Sequence, residues 1–270
     1  ADGDEPVAAL DLYNFATELS FEVVSIGKGK NNPFNRFATP DLLAKEASSK
    51  KMNPKMLTSF VDGSKTMVEM AALANFLDFK IDVDGMHGIE ATYENINQYY
   101  IPKKDGGLLE STQVVDFAFG IAPGVFAVIY SEDDYVNYEM EYLKMGKGPF
   151  WTLARPYHLT SLEIPRTIRH IMLENYSKLS AKSWNVEVVT YAKQHIEPGT
   201  NLGSIGGDYI YGKAQKVSSS KGLLPLGIAE DNIVNKVIKK GDPLKAHDID
   251  AQDNALCEYW NMQNQIMNSD

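Results

Sequence analysis

The sequence predicts a mixed α and β fold over the first two thirds of the chain, followed by a small β-rich module and a C-terminal helix. Up to about residue 180, segments with apolar residues at helical spacing alternate with short apolar runs. Beyond that point the strand-like segments shorten and turn residues become frequent. Helical spacing returns at 251–267. We therefore divide the chain into an α/β region at 1–180, a β-rich domain at 181–250 and a C-terminal helix or tail at 251–270.

Local patterns predict the individual elements in chain order. An apolar stripe behind an acidic cluster predicts a helix at 5–18, and an apolar run predicts a strand at 21–27 that ends at glycine. Thr39 and Pro40 open a helix to about residue 51, and Asn53 and Pro54 open a longer helix to about residue 79. Further elements are expected as short helices at 91–100, 135–144 and 165–173, and as strands at 125–130, 150–153, 184–192 and 209–213.

Bulk composition excludes several classes of partner. A formal net charge of −10 disfavours nucleic acid and anionic membranes as general partners, but a local basic pocket for a small anionic substrate remains compatible with it. The single cysteine, Cys257, cannot form an intrachain disulfide and fits a cytoplasmic protein. No apolar stretch is long enough to span a membrane. The acidic N-terminus does not resemble a signal peptide, and without an initiating Met we expect the chain to begin inside a longer gene product.

The first candidate site is the segment GKGKNNP at 27–33, which we interpret as a basic loop after a strand. Its glycines allow backbone N–H groups to approach a ligand, and Lys28, Lys30, Asn31 and Asn32 supply cationic and amide donors. These groups are suited to a substrate phosphate or carboxylate. A solvated loop without a ligand is the alternative.

A second candidate site lies on the predicted long helix. At about 100° per residue, Asp62, Lys65 and Glu69 share one face. The two carboxylates could hold a divalent metal such as Mg²⁺ or Mn²⁺, and Lys65 could transfer protons beside them. Ordinary ion pairs on a helix surface remain the alternative.

Two further segments carry titratable groups. His87 lies in the glycine turn GMHG, where an imidazole can titrate near neutral pH. Arg155, Tyr157 and His158 follow a predicted strand and could form an anion clamp with an adjacent acid or base. For His87 the alternative is a merely solvated loop histidine, and for the residues at 155–161 it is local hydrogen bonding at a strand end. The sequence has no Gly-x-Gly-x-x-Gly between a strand and a helix, and therefore no recognisable dinucleotide site.

Taken together, these motifs resemble a known family. The chain is similar to homoserine-dehydrogenase-like oxidoreductases that carry a C-terminal SAF (antifreeze-like) domain. The matching segments occur in order over most of the chain: GKGKNNP at 27–33, NPKMLTSFVDGSKTM at 53–67, GMHG at 85–88, APGVF at 122–126, LKMG at 143–146, RPYHLTSLE at 155–163 and GLLPLG at 222–227.

The resemblance implies three domains. These are an N-terminal Rossmann domain, an α/β catalytic domain with a mixed sheet, and a β-clip SAF domain whose opening resembles AKQHIEPGT at 192–200. The residues at 2–6 would follow the Rossmann domain, so we expect that domain to be absent from this chain.

The resemblance also implies an activity. The family includes enzymes similar to deoxyxylulose-phosphate reductoisomerase and sugar-acid oxidoisomerases. We therefore expect part of an NAD(P)H-dependent reductoisomerase for a sugar phosphate or sugar acid, acting as a homo-oligomer and inactive without the nucleotide domain. Lys65, His158 and His87 would be catalytic, Lys28, Lys30, Asn31, Asn32, Arg155 and Tyr157 would bind substrate, and Asp62 and Glu69 would hold a metal. Simple dehydrogenation and a non-enzymatic SAF binding module are the alternatives.

Overall fold

The computed structural model describes residues 1–174, 180–251 and 254–267. Parts of the predicted domain ends, at 175–179, 252–253 and 268–270, lie outside these residues. The helices are α1 (Glu5–Glu18), α2 (Ala44–Ser49), α3 (Pro54–Val61), α4 (Ser64–Leu77), α5 (Ile96–Tyr99), α6 (Asp134–Tyr142), α7 (Ile164–Glu174), α8 (Leu226–Ala229) and α9 (Ala255–Met267). The strands are β1 (Glu22–Lys30), β2 (Ile89–Glu90), β3 (Val114–Phe119), β4 (Val125–Tyr130), β5 (Phe150–Arg155), β6 (Val186–Ala192), β7 (Ile210–Lys216), β8 (Ile233–Val234) and β9 (Ile249–Asp250).

The described chain forms two compact units, each built from separate stretches of sequence. Unit 1 contains Ala1–Asn32, Val68–Val186 and Gln215–Val217. Unit 2 contains Pro33–Met67, Glu187–Ala214 and Ser218–Asp270. None of the helices in the described part of the chain has the length and hydropathy that a bilayer-spanning segment requires.

Unit 1 is built on a five-stranded sheet with the order β2-β3-β1-β4-β5. Strand β1 is parallel to β3, β2 is parallel to β3, and β4 is antiparallel to both β1 and β5. The expected mixed sheet is therefore confirmed. Because only β4 is reversed, β1, β3 and β5 all end where β4 begins. We call this the carboxyl-end edge; it contains Lys30, Phe119, Val125 and Arg155.

The register of this sheet separates the candidate residues onto two faces. Lys28 pairs with Val125, which pairs with Arg155, so these residues form one row across three strands. Gly27 pairs with Asp116 and lies in the neighbouring row. Since successive side chains on a strand point to opposite faces, Lys28 and Arg155 share one face and Asp116 lies on the other.

Different elements cover the two faces. Helix α1 packs against β1, β4 and β5 on the face of Lys28. The helix begins with an acidic first turn and a proline, and its buried Ala8 and Ala9 allow close approach to the sheet. On the other face Tyr100 stacks on Phe126, with ring centroids 5.6 Å apart, within an apolar cluster.

Among the predicted elements whose limits differ in the structure, two carry candidate site residues. The strand expected to end at residue 27 continues to Lys30, so most of the expected basic loop is strand. The glycine that suggested a turn is required by packing, because a Cβ on Gly27 would lie 1.7 Å from the carbonyl oxygen of Asp116. The helix expected to extend from 53 to 79 is instead α3 and α4, which are separated at Gly63 with its φ of +83°.

Unit 2 contains short helices and two small sheets. Ala38, Ala47, Leu57 and Val61 form a buried apolar cluster around α2 and α3. Strands β6 and β7 pair in one two-stranded sheet, and β8 and β9 pair in another. The β-rich domain expected at 181–250 and its SAF assignment stay predictions.

Candidate active site

The side chain of Lys28 is buried between two carboxylates in unit 1. Its Nζ lies 2.8 Å from Oε1 of Glu5 and also forms an ion pair with Glu69. Only 6 % of the Lys28 side chain is exposed, and each glutamate side chain is 11 % exposed. Two carboxylates thus share one buried ammonium, so this lysine alone does not neutralise both of them.

His158 joins the same site through Glu5. Its Nδ1 lies 2.8 Å from the carbonyl oxygen of Gly3, and its Nε2 lies 3.4 Å from Oε1 of Glu5. A carbonyl oxygen can only accept a hydrogen bond, so we assign the proton to Nδ1. The Nε2 atom therefore faces the carboxylate and can take up or release a proton there. We call Glu5, Lys28, Glu69 and His158 the Lys28 cluster.

The local backbone explains why His158 reaches the first turn of α1. Gly3 has a φ of +91° and lies directly against Thr160, where a Cβ would be 2.1 Å from the carbonyl oxygen. The backbone N–H of Thr160 donates to the carbonyl of Gly3 over 3.1 Å. Only glycine fits this approach, and it fixes the segment after β5 beside the helix that carries Glu5.

Arg155 belongs to a second charged network beside this segment. It forms ion pairs with Glu163 and with Asp11, at 3.5 Å for the latter, and Arg166 pairs with both carboxylates. Burial favours the neutral form of Glu163, but hydrogen bonds from Arg166 and Arg155 outweigh it and lower the pKa of the carboxyl group. Tyr157 lies over Arg155, with the guanidinium carbon 5.1 Å from the ring centroid.

A comparison with protein-family models identifies the family of the chain. Residues 3–164, more than half of the chain, match the family model described as "Oxidoreductase DRL, catalytic domain". The chain belongs to this family. No curated protein matches the chain. The DRL match includes the whole Lys28 cluster, and it confirms the expectation of an oxidoreductase and therefore of an enzyme.

His87 lies on the other face of the sheet in this DRL domain. Its Nδ1 is 3.0 Å from Oδ2 of the fully buried Asp116, and its Nε2 is 3.4 Å from Oδ2 of Asp82. The hydrogen bond with Asp116 raises the pKa of the imidazole, against the opposing effect of burial. Both ring nitrogens therefore contact carboxylates, and the structure does not bring His87 into the Lys28 cluster.

Asp116 also organises its surroundings through several donors. The backbone N–H groups of His87 and Gly88 donate to its carboxylate over 3.0 and 3.1 Å, and the hydroxyl of Tyr100 lies 2.9 Å from Oδ1. Burial, followed by the Asp116 charge, raises the pKa of Tyr100 well above its usual value. This network fixes the glycine turn against the sheet, so His87 is not the merely solvated loop histidine that the sequence offered as the alternative.

The other predicted substrate contacts are distributed differently from the expectation. Lys30 is 5 % exposed, and strand alternation places it on the same face as Lys28. Asn31 is exposed and Asn32 is partly buried, just beyond the end of β1. The expected flexible loop of four donors is therefore corrected to two buried strand lysines followed by two amides, because close packing at the glycines extends the strand.

The predicted metal residues do not form the expected helical face. Asp62 ends α3 rather than continuing into α4, and its carboxylate lies 2.8 Å from Nζ of Lys193 in unit 2. Lys65, also in unit 2, lies over Phe60 with its Nζ 5.1 Å from the ring centroid. Glu69 pairs with Lys28 in unit 1. The single-helix argument for a metal site was therefore wrong, because the helix breaks at Gly63.

The side chains described by the structure also contain no group of three or more His, Cys, Asp or Glu residues arranged to hold a metal. The metal stays a prediction, and we derive no step through it.

Sequence reasoning did not single out three carboxylates that the structure makes prominent. Glu5 was interpreted only as a helix-start acid, yet it bridges Lys28 and His158. Asp116 and Glu163 were not considered. For Asp116 a signal was available in the sequence. It is an acidic residue between valine and phenylalanine in an otherwise apolar strand. Nothing in the spacing pointed to Glu5, since its partners are 23 and 153 residues away in sequence.

Proposed function

We propose that this chain holds the substrate and transfers protons in an NAD(P)H-dependent reductoisomerase that acts on a sugar phosphate or sugar acid. The observation that supports the proposal best is the Lys28 cluster. A buried ammonium, two carboxylates and a histidine meet near the carboxyl-end edge of the mixed sheet. Ligands of open α/β sheets bind outside the carboxyl ends of the strands, so this edge is where a substrate would be expected.

The roles within the cluster follow from its hydrogen bonds. His158 donates its Nδ1 proton to Gly3, which leaves Nε2 to exchange a proton with a substrate hydroxyl or with Glu5. Lys28 would stabilise negative charge on a substrate oxygen, and Glu5 and Glu69 hold its ammonium in place before substrate binds. Lys30, Arg155 and Tyr157 extend the cationic and aromatic surface along this edge.

The proposed reaction uses a nicotinamide nucleotide, but we do not place its binding site in these residues. The glycines of β1 lie inside a strand and not in a turn that opens a helix, so they do not form a phosphate-binding turn for the nucleotide. We therefore assign the nucleotide to a Rossmann domain outside the 270 residues, and we derive no hydride step from this chain.

The remaining expectations are part of the same proposal. A SAF-type β module after residue 180 would take no part in the chemistry. The protein would work in the cytoplasm as a homo-oligomer, without nucleic acid or membrane partners. The single cysteine supports the location, and the net charge of −10 supports the absence of nucleic acid and anionic membrane partners.

The location of the nucleotide site is tested by titrating NADH and NADPH into the 270-residue chain and following the reduced-nicotinamide fluorescence. The proposal predicts no saturable change with either nucleotide. Saturable binding in the micromolar range would place a nucleotide site within these residues and would contradict the assignment to another domain.

The reaction itself is tested on the full gene product that contains these residues. The protein is incubated with NADPH or NADH and a panel of carbon-13-labelled ketose phosphates and sugar acids, and the products are identified by NMR. A reduced product with a rearranged carbon skeleton is the expected result. Reduction with the skeleton unchanged would support simple dehydrogenation instead, and no nucleotide oxidation with any member of the panel would contradict both activities for this substrate class.

A further inference from the structure

Two residues outside the Lys28 cluster anchor the segment that contacts His158. Asp2 directly precedes Gly3, and its side chain is only 2 % exposed. The backbone N–H of Asp2 donates to the hydroxyl of Thr167 over 2.8 Å, and the same hydroxyl donates to Oδ2 of Asp2 over 2.9 Å. A single hydroxyl can act as acceptor and donor together, so Thr167 fixes both the backbone and the side chain of Asp2 against α7.

Further donors on α7 contact the same carboxylate. Nδ1 of His170 lies 3.3 Å from Oδ2 of Asp2, and Nε of Arg166 lies 3.7 Å from Oδ1. Arg166 and His170 are four residues apart and therefore share one face of the helix, with Thr167 beside them. A buried carboxylate that receives donors from three residues of one helix has little freedom to move, so α7 sets the position of Asp2.

The carbonyl of Gly3 transmits this anchoring to His158. Its oxygen accepts from the backbone N–H of Thr160 over 3.1 Å and lies 2.8 Å from Nδ1 of His158. Gly3 has a φ of +91°. Glycine restricts its own backbone less than any other residue, so the direction of this carbonyl depends on the anchors on either side. Those anchors are Asp2 on one side and the first turn of α1 on the other.

The neutral imidazole of His158 has one proton for two acceptors. The Gly3 oxygen is 2.8 Å from Nδ1, whereas Oε1 of Glu5 is 3.4 Å from Nε2. Each acceptor favours a proton on the nitrogen that faces it, and the shorter contact is the better hydrogen bond. With the proton on Nδ1, the lone pair of Nε2 can accept another proton, which is impossible in the other tautomer. The position of the Gly3 carbonyl therefore decides whether His158 can act as a base at Nε2.

We propose that Asp2 and Thr167 are positioning residues for His158, because they fix the Gly3 carbonyl and thereby keep the imidazole proton on Nδ1. The catalytic meaning of this inference rests on the proposed role of Nε2 in proton transfer. The tautomer itself can be measured without any substrate.

The ring nitrogens of His158 report the tautomer directly. The 270-residue chain is labelled with nitrogen-15 histidine, and long-range correlations between the ring protons and ring nitrogens are recorded by NMR at alkaline pH, where imidazoles are uncharged. His158→Gln identifies the signals of this residue by their loss. The native protein is expected to carry the His158 proton on Nδ1. A proton on Nε2, or an equal mixture of both tautomers, would overturn the proposal on the native protein alone.

A matched set of threonine variants tests the anchoring. Thr167→Val keeps the shape of the side chain but removes both hydrogen bonds to Asp2, whereas Thr167→Ser keeps the hydroxyl. Thr58→Val is the control, because it removes a buried hydroxyl in unit 2 that donates to Pro54 in its own helix. Only Thr167→Val should shift the His158 tautomer ratio towards Nε2, by about fivefold, which is the effect of one ordinary hydrogen bond on an equilibrium. An unchanged ratio in Thr167→Val, or an equal shift in Thr167→Ser or Thr58→Val, would overturn the proposal.

Asp2→Ala tests the same pair from the other side and replaces Thr167→Val if that variant does not fold. It removes the carboxylate to which Thr167 and His170 donate. The same shift of the His158 proton towards Nε2 is expected. A native tautomer ratio in the folded Asp2→Ala variant would overturn the proposal.

Turnover of the full gene product separates this inference from the proposed function. With a substrate from the labelled panel, Thr167→Val should lower kcat by about threefold to tenfold and leave KM nearly unchanged, and Thr167→Ser should retain native kcat. Native kcat in both Thr167→Val and His158→Gln, together with the expected tautomer shift, would contradict the proposed function and support the anchoring. Loss of turnover in His158→Gln without a tautomer shift in Thr167→Val would do the reverse.

Discussion

The Nζ atom of Lys28 lies 2.8 Å from Oε1 of Glu5, and both groups are buried beneath the first turn of α1. The same ammonium pairs with Glu69, and the same Glu5 oxygen is 3.4 Å from the imidazole of His158. One lysine thus joins the start of a helix, a central strand and a second helix. Its removal affects stability as well as any chemistry, and the two effects have to be measured separately.

Replacement of Lys28 by Met is expected to destabilise unit 1 strongly. The change leaves Glu5 and Glu69 buried without their shared cation, and breaking a buried pair on one side costs about 3–5 kcal/mol. The free energy of unfolding, measured by urea denaturation at neutral pH, should fall by that amount. Lys50→Met, which removes a surface pair with Glu46, is the control and should cost less than about 1 kcal/mol. Equal small losses in both variants would contradict the buried-pair account.

The imidazole of His87 should make stability dependent on pH. Its pKa in the folded protein is raised, chiefly by the hydrogen bond to Asp116. A raised folded pKa means that the stabilisation is fully present below the unfolded value of about 6.5 and disappears as the pH rises through the folded value. The stability difference between the native protein and His87→Gln should therefore be largest in acid and shrink towards alkaline pH. A difference that is constant or grows with pH would show that the Asp116 bond does not favour the charged imidazole.

Lys193 and Asp62 are expected to act as a structural pair in unit 2. The Lys193 side chain is 1 % exposed, and desolvation lowers its pKa despite the opposing charge and hydrogen bond of Asp62. Lys193→Met should therefore cost about 3–5 kcal/mol of unfolding free energy, because it removes one partner of a buried ion pair and leaves the fully buried Asp62 without its lysine. Addition of Asp62→Asn should recover part of that loss, since it removes the carboxylate that Lys193 no longer pairs. Strictly additive losses in the two single variants and the double variant would contradict a direct pairing.

Any side chain at Gly27 should destabilise the protein, although the backbone of this residue has an ordinary strand conformation. A Cβ at this position would lie 1.7 Å from the backbone oxygen of Asp116, so Gly27→Ala forces β1 and β3 apart. We expect a loss of at least about 3 kcal/mol in unfolding free energy, at the upper end of overpacking effects. Gly227→Ala is the matched control, because nothing lies within 4 Å of its Cβ position, and it should change stability by less than about 1 kcal/mol. Similar tolerance at both glycines would disprove the close approach.

The sequence predicted most elements of unit 1 because their signals are local. The helix at 5–18 and the strand at 125–130 appear as α1 and β4 with the predicted limits. The apolar stripe of α1 and the β-branched run of β4 can be recognised without knowing any contact to a distant part of the chain. The prediction ended β1 too early because glycine usually marks a turn. Gly27 instead lies within the strand, where the absence of a side chain allows the backbone of Asp116 to approach.

The site was less accessible to prediction, because its contacts join distant parts of the chain. Lys28, Glu69 and His158 were each identified as candidates, but Glu5, which connects them, was not. The helical-face argument for Asp62, Lys65 and Glu69 failed because a single glycine with positive φ breaks the helix. A continuous helix cannot be distinguished from two short ones by apolar spacing alone.

The most direct test of the proposed site is the turnover of His158→Gln in the full gene product, compared with the native protein. Glutamine can retain the hydrogen bond to Gly3 but cannot exchange a proton at the position of Nε2. If His158 transfers protons during the reaction, kcat should fall by about 10²- to 10⁴-fold while thermal unfolding and substrate affinity change little. Native turnover in this variant would contradict the central claim that the Lys28 cluster carries the chemistry.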